Sequence, residues 1–368
     1  MSLAIDHGHL PSGRHIVNHD TADAAVGDVR ANPFYAGRAL GLSEPWDIIQ
    51  LPPELEVLWP AITTHYDRIG LQHATEVIWH LHPAELGEHI GYYPSVFRFG
   101  PRHCYFWGDN AWLDTAEFIG SRNNFATLAR ELGVDVPETL CFERTGDVAV
   151  ADVRYPCYVK TATRSAGRCT YRCEDRQQLL EALDLLDSTM PVQLQEALAA
   201  VSFLDLQYRV TGKAIFRMAV TEQAADVVGH PGYHSPANHA PWDSVEPMAE
   251  WLSERGLKGD FCFRVAAVQT KRGLRFRVID CKPQFSEAAY PAVIAHKLRI
   301  RDWFAITLVT RHRDLAGIDL AGIEFDPAVG SGVVIVNWGA VLEGELQVMI
   351  AGDRRQPAAL RVALDARL

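Results

Sequence analysis

The sequence predicts a mixed α/β (α+β) protein with an N-terminal open α/β lobe, a larger central unit and a small C-terminal α+β extension. Two observations predict it. Residues 47–83 alternate strand, helix and strand. DIIQLP (47–52) and EVIWHLHP (76–83) are short apolar runs, and between them Leu55, Leu58, Ile62, Tyr66 and Ile69 recur at helical spacing. Residues 120–313 then run helix, strand ending in a lysine, small-residue loop, helix, strand with Gln-Glu, hairpin, loop, helix and a strand pair ending in an acid.

Composition narrows the class. The 368 residues are 48% hydrophobic and 22% charged, enough for a sizeable core. A net charge of −11, from 35 Lys+Arg against 46 Asp+Glu, argues against general nucleic-acid binding and against an anionic membrane surface. No apolar run reaches the roughly 20 residues of a membrane helix. The opening MSLAIDHGHLPSGRH lacks a signal-peptide pattern. The seven cysteines are scattered, with no Cys-x-x-Cys pair, and Cys169 and Cys173 have no second pair at metal spacing. They read as reduced, mostly structural thiols of a cytoplasmic protein.

Taken in order, residues 1–45 are polar and histidine-rich and read as a partly ordered arm. The lobe at 46–120 follows, with HCYFW (103–107) as its third strand. The central unit spans 121–313, with a smaller lobe at 121–198 and a larger one at 199–313. Asn123 to Leu132 forms its first helix, closed by Gly133. YPCYVK (155–160) is a strand, CEDRQQLLEALDLL (173–186) an amphipathic helix and VQLQEAL (192–198) a strand. FLDLQYRV (203–210) and AIFRMAVTEQ (214–223) form a hairpin. GHPGYHSPANHAPW (229–242) is a loop covering something. A helix at 245–255, strands near 260–269 and 274–281 and a long helix at 291–313 complete the unit. The extension, 314–368, holds GVVIVNWGAVL, ELQVMIAG and a last helix at 357–368.

Four signals carry chemistry. Lys160 ends a strand and precedes Thr-Ala-Thr-Arg-Ser-Ala-Gly, so a compact charge adjoins backbone that an anion can approach. This is not a Walker A loop. Gln195-Glu196 can read a purine edge, with Asp205 placed as an acid for ribose hydroxyls. Arg122, just before a helix, can reach the same phosphates from the other side. In FRVIDCKPQFSEAAYP (276–291), Asp280 ends a strand stopped by Pro283 and presents a carboxylate to a pocket. Each also reads alone as an ordinary solvated surface group.

Together these residues resemble the ATP-grasp superfamily, from about Gly120 to Thr310. The carrying motifs are Tyr155-Pro156-Cys157-Tyr158-Val159-Lys160, then Val192-Gln193-Leu194-Gln195-Glu196, then Ile279-Asp280-Cys281-Lys282-Pro283-Gln284. Ala219 to Gln223, with Gly229 and Tyr233, is similar to the peptide ligases with a pre-ATP-grasp lobe, of the pheganomycin-ligase type. The resemblance implies an ATP-grasp fold and an ATP-dependent carboxylate–amine ligase that works through an acyl phosphate in natural-product biosynthesis. It implies ATP and Mg²⁺ as cofactors and small-molecule carboxylate and amine partners; a homodimer stays open. It places Arg122 and Lys160 on the phosphates, and Ser165, Ala166 and Gly167 in the phosphate-covering loop. Gln195, Glu196 and Leu198 fall at the adenine hinge, Asp205 at the ribose and Asp280 at the metal.

The chain departs from the family at three places. Arg264 stands where a first metal-binding acid belongs, Lys282 where a metal-binding Asn belongs and Gln284 where an Arg is common. Asp260 and Glu287 are the acids that can compensate, and Lys282, Arg264 and Arg217 are the candidate catalytic cations. A grasp fold that binds nucleotide or metabolite without ligase chemistry is the alternative. His230, His234 and His239 form a third candidate, a zinc cluster, although their Pro-rich spacing favours a lid.

Overall fold

The computed structural model describes residues 15–18, 32–79, 93–96, 111–150, 153–163, 170–211, 214–225, 231–283, 285–352 and 357–368. The N-terminal lobe is a parallel sheet ordered β3-β2-β1-β4, from β1 (His15–Asn18), β2 (Ile48–Leu51), β3 (Glu76–Trp79) and β4 (Tyr93–Val96). Helix α1 (Trp59–Ile69) joins β2 to β3, the expected strand–helix–strand alternation. Pro60 opens it, and Gly70 closes it in the left-handed conformation at φ 73°. HCYFW lies outside the described residues.

Within the expected arm, the described residues 15–18 and 32–42 are built into the lobe. β1 is the inner strand between β2 and β4, and Asn32–Leu42 forms a 3-10 helix with Ala36, Ala39 and Leu40 fully buried. Glycine makes this docking possible. A Cβ on Gly339 would sit 2.2 Å from the Phe34 carbonyl oxygen. Little periodicity marked this segment, because its buried Ala36, Ala39 and Leu40 sit among Gly, Arg and Tyr.

Helix α2 (Ala111–Gly120) leads into α3 (Arg122–Glu131), whose N-cap Ser121 accepts from the Asn124 N–H. A small antiparallel sheet follows, ordered β5-β8-β6-β7, from β5 (Thr139–Phe142), β6 (Cys157–Thr161), β7 (Thr170–Cys173) and β8 (Val192–Glu196). Helix α4 (Arg176–Asp184) buries Leu179 and Ala182 against it and is capped by Asp175. Residues 197–199 connect this sheet to the large one.

The large sheet has eight antiparallel strands ordered β13-β12-β9-β10-β11-β14-β16-β15. They are β9 (Ala200–Thr211), β10 (Ala214–Ala225), β11 (Pro231–Ser235), β12 (Gly259–Thr270), β13 (Gly273–Lys282), β14 (Trp303–Val309), β15 (Gly332–Asn337) and β16 (Glu345–Ala351). Helix α5 (Glu246–Glu254) covers one face, where Met248 and Leu252 pack with Leu206, Tyr208, Phe261 and Phe263. The expected loop at 229–242 therefore contains a strand. Its β11 half pairs with β10 and β14 because Gly232 lets the backbones meet, a Cβ there lying 2.4 Å from the Ala305 carbonyl oxygen.

The expected helix at 291–313 is two elements. Helix α6 (Ala289–Lys297) ends where Arg299 turns left-handed at φ 58°, and β14 begins four residues later. The run WFAITLV is aromatic and β-branched, and strand pairing prevailed over the helical spacing. The C-terminal strands β15 and β16 continue the same sheet, and their apolar faces share one core with the N-terminal lobe. Helix α7 (Pro357–Asp365) closes the chain.

Candidate functional site

The strands of the large sheet expose a polar face opposite α5. Side chains alternate along a strand, so Asp205, Gln207 and Arg209 of β9 share one face while Leu204, Leu206 and Tyr208 enter the core. On β12, Asp260, Cys262 and Arg264 answer them, with Asp260 opposite Arg209, Cys262 opposite Gln207 and Arg264 opposite Asp205. On β13, Lys282 pairs with Cys262 and Asp280 with Arg264. A bulge intervenes: Val278 pairs with Val265 and Asp280 with Arg264, so one extra residue turns the strand between them. Val278 and Cys281 are buried in the core, and Asp280 joins the row of Asp205 and Arg264 on the polar face. Strict alternation would have put Asp280 on the same side as Val278.

The charges on this face are closely paired. Arg264 donates from Nε and Nη2 to the two oxygens of Asp205, both at 2.8 Å, and Asp205 is 2% exposed. Burial alone would push the Asp205 carboxyl up. The Arg264 fork, with Lys282 nearby, instead holds it below the usual carboxylate range. The guanidinium of Arg264 is held well above its ordinary value against its own burial. Asp260 accepts from Arg209 Nε at 3.0 Å and Nη2 at 3.2 Å, and burial leaves its carboxyl raised despite that pair.

Two cations stand at the small sheet, and one of them, Arg122, reaches this face. In β6, Cys157 and Val159 enter the core, while Tyr158 and Lys160 take the other face. Lys160 Nζ donates to Gln195 Oε1 at 2.6 Å and lies 5.5 Å from the Tyr158 ring centre. Arg122 opens α3. Its N–H donates to the Ala162 carbonyl at 2.7 Å, its Nη1 to the Thr161 carbonyl at 2.6 Å, and its Nε lies 4.0 Å from Asp280 Oδ2. One side chain thus spans from the strand end after Lys160 to the carboxylate on β13.

A second tie crosses at the other end. Arg277 of β13 donates to Glu196 Oε2 at 2.8 Å and to the Val136 carbonyl at 2.7 Å. Glu196 also accepts from the Glu138 N–H at 3.2 Å. The Glu196 carboxylate is therefore engaged with protein, and so are the Glu196 and Ala197 N–H groups, which donate to the Glu138 and Pro156 carbonyls at 2.8 and 3.1 Å.

The structure brings together Arg122, Asp205, Arg264, Asp280 and Lys282, pairs Lys160 with Gln195 on the small sheet, and separates others. Arg217 pairs with Tyr208 on the opposite face, where it contacts Glu246 and Asp243 and lies 5.7 Å from the Trp242 ring centre. A bulge between Arg217 and Ala219 turned it there. Asp205 is locked by Arg264 in mid-strand, which removes it from a ribose-facing edge. Asp260 belongs to Arg209. Glu287 accepts from Gln347 Nε2 at 3.3 Å. Ser165, Ala166, Gly167, Gln284 and His230 lie outside the described residues. His234 and His239 diverge, one 3.8 Å from Glu222 and the other against the Phe276 ring.

Sequence reasoning missed a group across from this face. Arg38, in the first 3-10 helix, stacks 4.2 Å from the centre of the Tyr290 ring. Tyr35 donates to Glu345 Oε2 at 2.8 Å. Tyr233 of β11 is raised by burial, then by Glu287, and sits close enough to Arg264 to feel its charge. A tyrosine and arginine in a segment without periodicity give no signal until the lobe docks.

The resemblance implies a divalent cation, and the residues present do not fit one. Among the described residues no group of three or more His, Cys, Asp or Glu forms a metal cluster. Magnesium needs about six oxygen ligands in near-octahedral geometry, several of them usually water. Asp280 brings a carboxylate, but its row neighbours are a guanidinium and an ammonium, and the Asp205 oxygens are occupied by the Arg264 fork.

No family model and no curated protein matches the chain. Solved structures do. The Staphylococcus aureus N5-carboxyaminoimidazole synthetase complexed with ADP is 13% identical, covers 96% of this chain and 96% of its own, and superposes with a TM-score of 0.55. The Thermus thermophilus N5-carboxyaminoimidazole ribonucleotide synthetase is 14% identical, with coverages of 96% and 98% and a TM-score of 0.54. A Campylobacter jejuni biotin carboxylase β,γ-ATP complex is 11% identical, with coverages of 97% and 92% and a TM-score of 0.56. Similarity over nearly whole chains, together with the two sheets and the cations between them, identifies the architecture: this chain has the ATP-grasp fold.

Proposed function

We propose that the chain is an ATP-dependent carboxylate–amine ligase of the peptide-forming type, acting on amino acids or small metabolites in a natural-product pathway. The observation that carries this reading is Arg122, which reaches from the strand end after Lys160 to Asp280 on the polar face of the large sheet. Fold neighbours bound to ADP or an ATP species support a nucleotide between the two sheets.

In the first step a substrate carboxylate oxygen attacks the γ-phosphorus; its O–P bond forms, the β,γ-bridging bond breaks and ADP leaves. In the second, the amine nitrogen attacks the acyl carbon; the C–N bond forms, the C–O bond to phosphate breaks, and nitrogen loses a proton. The chain's part is alignment and neutralisation of phosphate charge. Lys160 supplies a point charge held in place by Gln195, and Arg122 a cation held between the Thr161 carbonyl and Asp280. The backbone at Leu198, just past the end of β8, receives the base.

The test is incubation with ATP and a panel of amino acids and amines, following ADP and phosphate. Product that needs both a carboxylate and an amine supports the ligase, and Lys160→Ala is expected to cut turnover about 10²-fold or more. The locked Asp205–Arg264 fork favours a second reading, a nucleotide- or metabolite-binding protein without ligase chemistry. Thermal stabilisation by ATP with no substrate-dependent ADP release would select it.

A further inference from the structure

We infer that the polyphosphate corner works with fixed side-chain cations in place of a divalent ion, so that the chain binds the metal-free nucleoside triphosphate. The inference rests on the nucleotide reading above and goes beyond it, because the resemblance implies a metal.

Both the ligand set and the charge of this corner disfavour a dication. Across β9, β12 and β13, the row Asp205–Arg264–Asp280 alternates in sign, and Lys282 follows Asp280 on the same face, opposite Cys262. Two acids and two cations cancel. Arg122, with Nε 4.0 Å from Asp280, then leaves the corner cationic. A dication at Asp280 would face three protein cations: Arg122 beside it, Arg264 one strand away and Lys282 two residues along. It would find too few hard oxygens. Asp205 has committed both of its own to Arg264 at 2.8 Å, and Cys262 is a soft ligand that magnesium does not favour.

A triphosphate meets the opposite situation. Its oxygens are acceptors, and the corner offers a guanidinium and ammonium groups. The bulge between Val278 and Asp280 has a clear use here, since it turns the end of β13, with Lys282, toward the other cations. Asp280 then orients Arg122, and the Asp205–Arg264 fork holds the floor of the corner rigid.

The experiment is calorimetric titration of the full chain with ATP in excess EDTA and in excess magnesium. The expected dissociation constants agree within about threefold. Lys282→Ala is expected to weaken binding in EDTA by about tenfold or more while keeping the wild-type circular dichroism and melting profile. Binding tightened about tenfold or more by magnesium would overturn the inference and leave the nucleotide reading standing. A Lys282→Ala chain that binds in EDTA as tightly as wild type would also overturn it. If neither buffer supports binding of any nucleoside triphosphate, the nucleotide reading falls, and this inference with it.

Discussion

Arg264 and Asp205 form a closed fork whose two halves are unequal in what their removal costs. Arg264→Met would strand a carboxylate that is 2% exposed, and breaking a buried pair in this way costs about 3–5 kcal/mol. Urea denaturation should show that loss, and the double variant Asp205→Leu/Arg264→Met should recover most of it. Little of this was legible in the sequence. Lys160, Gln195 and Asp280 announced themselves as polar residues at strand ends. The pairings of Arg264 with Asp205 and of Arg209 with Asp260 join residues 59 and 51 positions apart. They depend on strand register, which single-sequence patterning does not specify. Arg217 misled for a related reason. Alternation puts it on the face of Thr221, and the bulge before Ala219 turns it to the other.

Whole elements were more legible than the joints between them. Helices α1, α3, α4 and α5 and the β9–β10 hairpin follow from apolar spacing and caps. The break between α6 and β14 does not, because Arg299 takes a conformation more typical of Gly or Asn. At α1 a titrating cluster joins elements that no pattern connects. His65 Nδ1 lies 2.6 Å from Glu324 Oε1, its Nε2 accepts the Ile335 N–H at 3.1 Å, and Arg68 donates twice to the same carboxylate. Burial lowers His65, which stays neutral to accept that N–H. Glu324 is held at about 2, below its ordinary 4.5, by His65 and Arg68 against its own desolvation. A depressed carboxylate stabilises the fold above its unfolded value and loses that contribution as pH falls. The histidine acts in the same direction below about 6.5. Urea midpoints should therefore drop from pH 7 to pH 3, and Glu324→Gln should flatten the lower part of the curve. A second element-level test concerns the N-terminal 3-10 helix. Gly339→Ala drives a methyl against the Phe34 carbonyl, and an overpacking cost of about 1–3 kcal/mol should appear as a lower melting temperature.

At the scale of the molecule, alternation of strand and helix foretold an α/β lobe and motif order foretold the grasp architecture. The sharing of one core by the first lobe and the last strands was not foretold, since it joins residues about 300 apart. The two sheets that frame the corner are connected by 197–199 and held by Arg122 at one end and Arg277 at the other. Arg277→Ala removes a tie to Glu196 and Val136 without touching a core side chain. Amide hydrogen exchange should then quicken in 134–140 and 194–198 and stay unchanged in β14–β16.

The outer strands of the large sheet carry one more consequence. β13 and β15 are its two edges, and each is occupied by a stretch of the chain itself: the Val278 N–H donates to the Asp135 carbonyl, while Val333 exchanges hydrogen bonds with Ile323 and Phe325. An uncovered edge is a template on which another chain can pair. The segment that Arg277 pins at 134–136 therefore also guards against self-association. Loosening it would be read first as rising light scattering on storage, before any change in the melting curve.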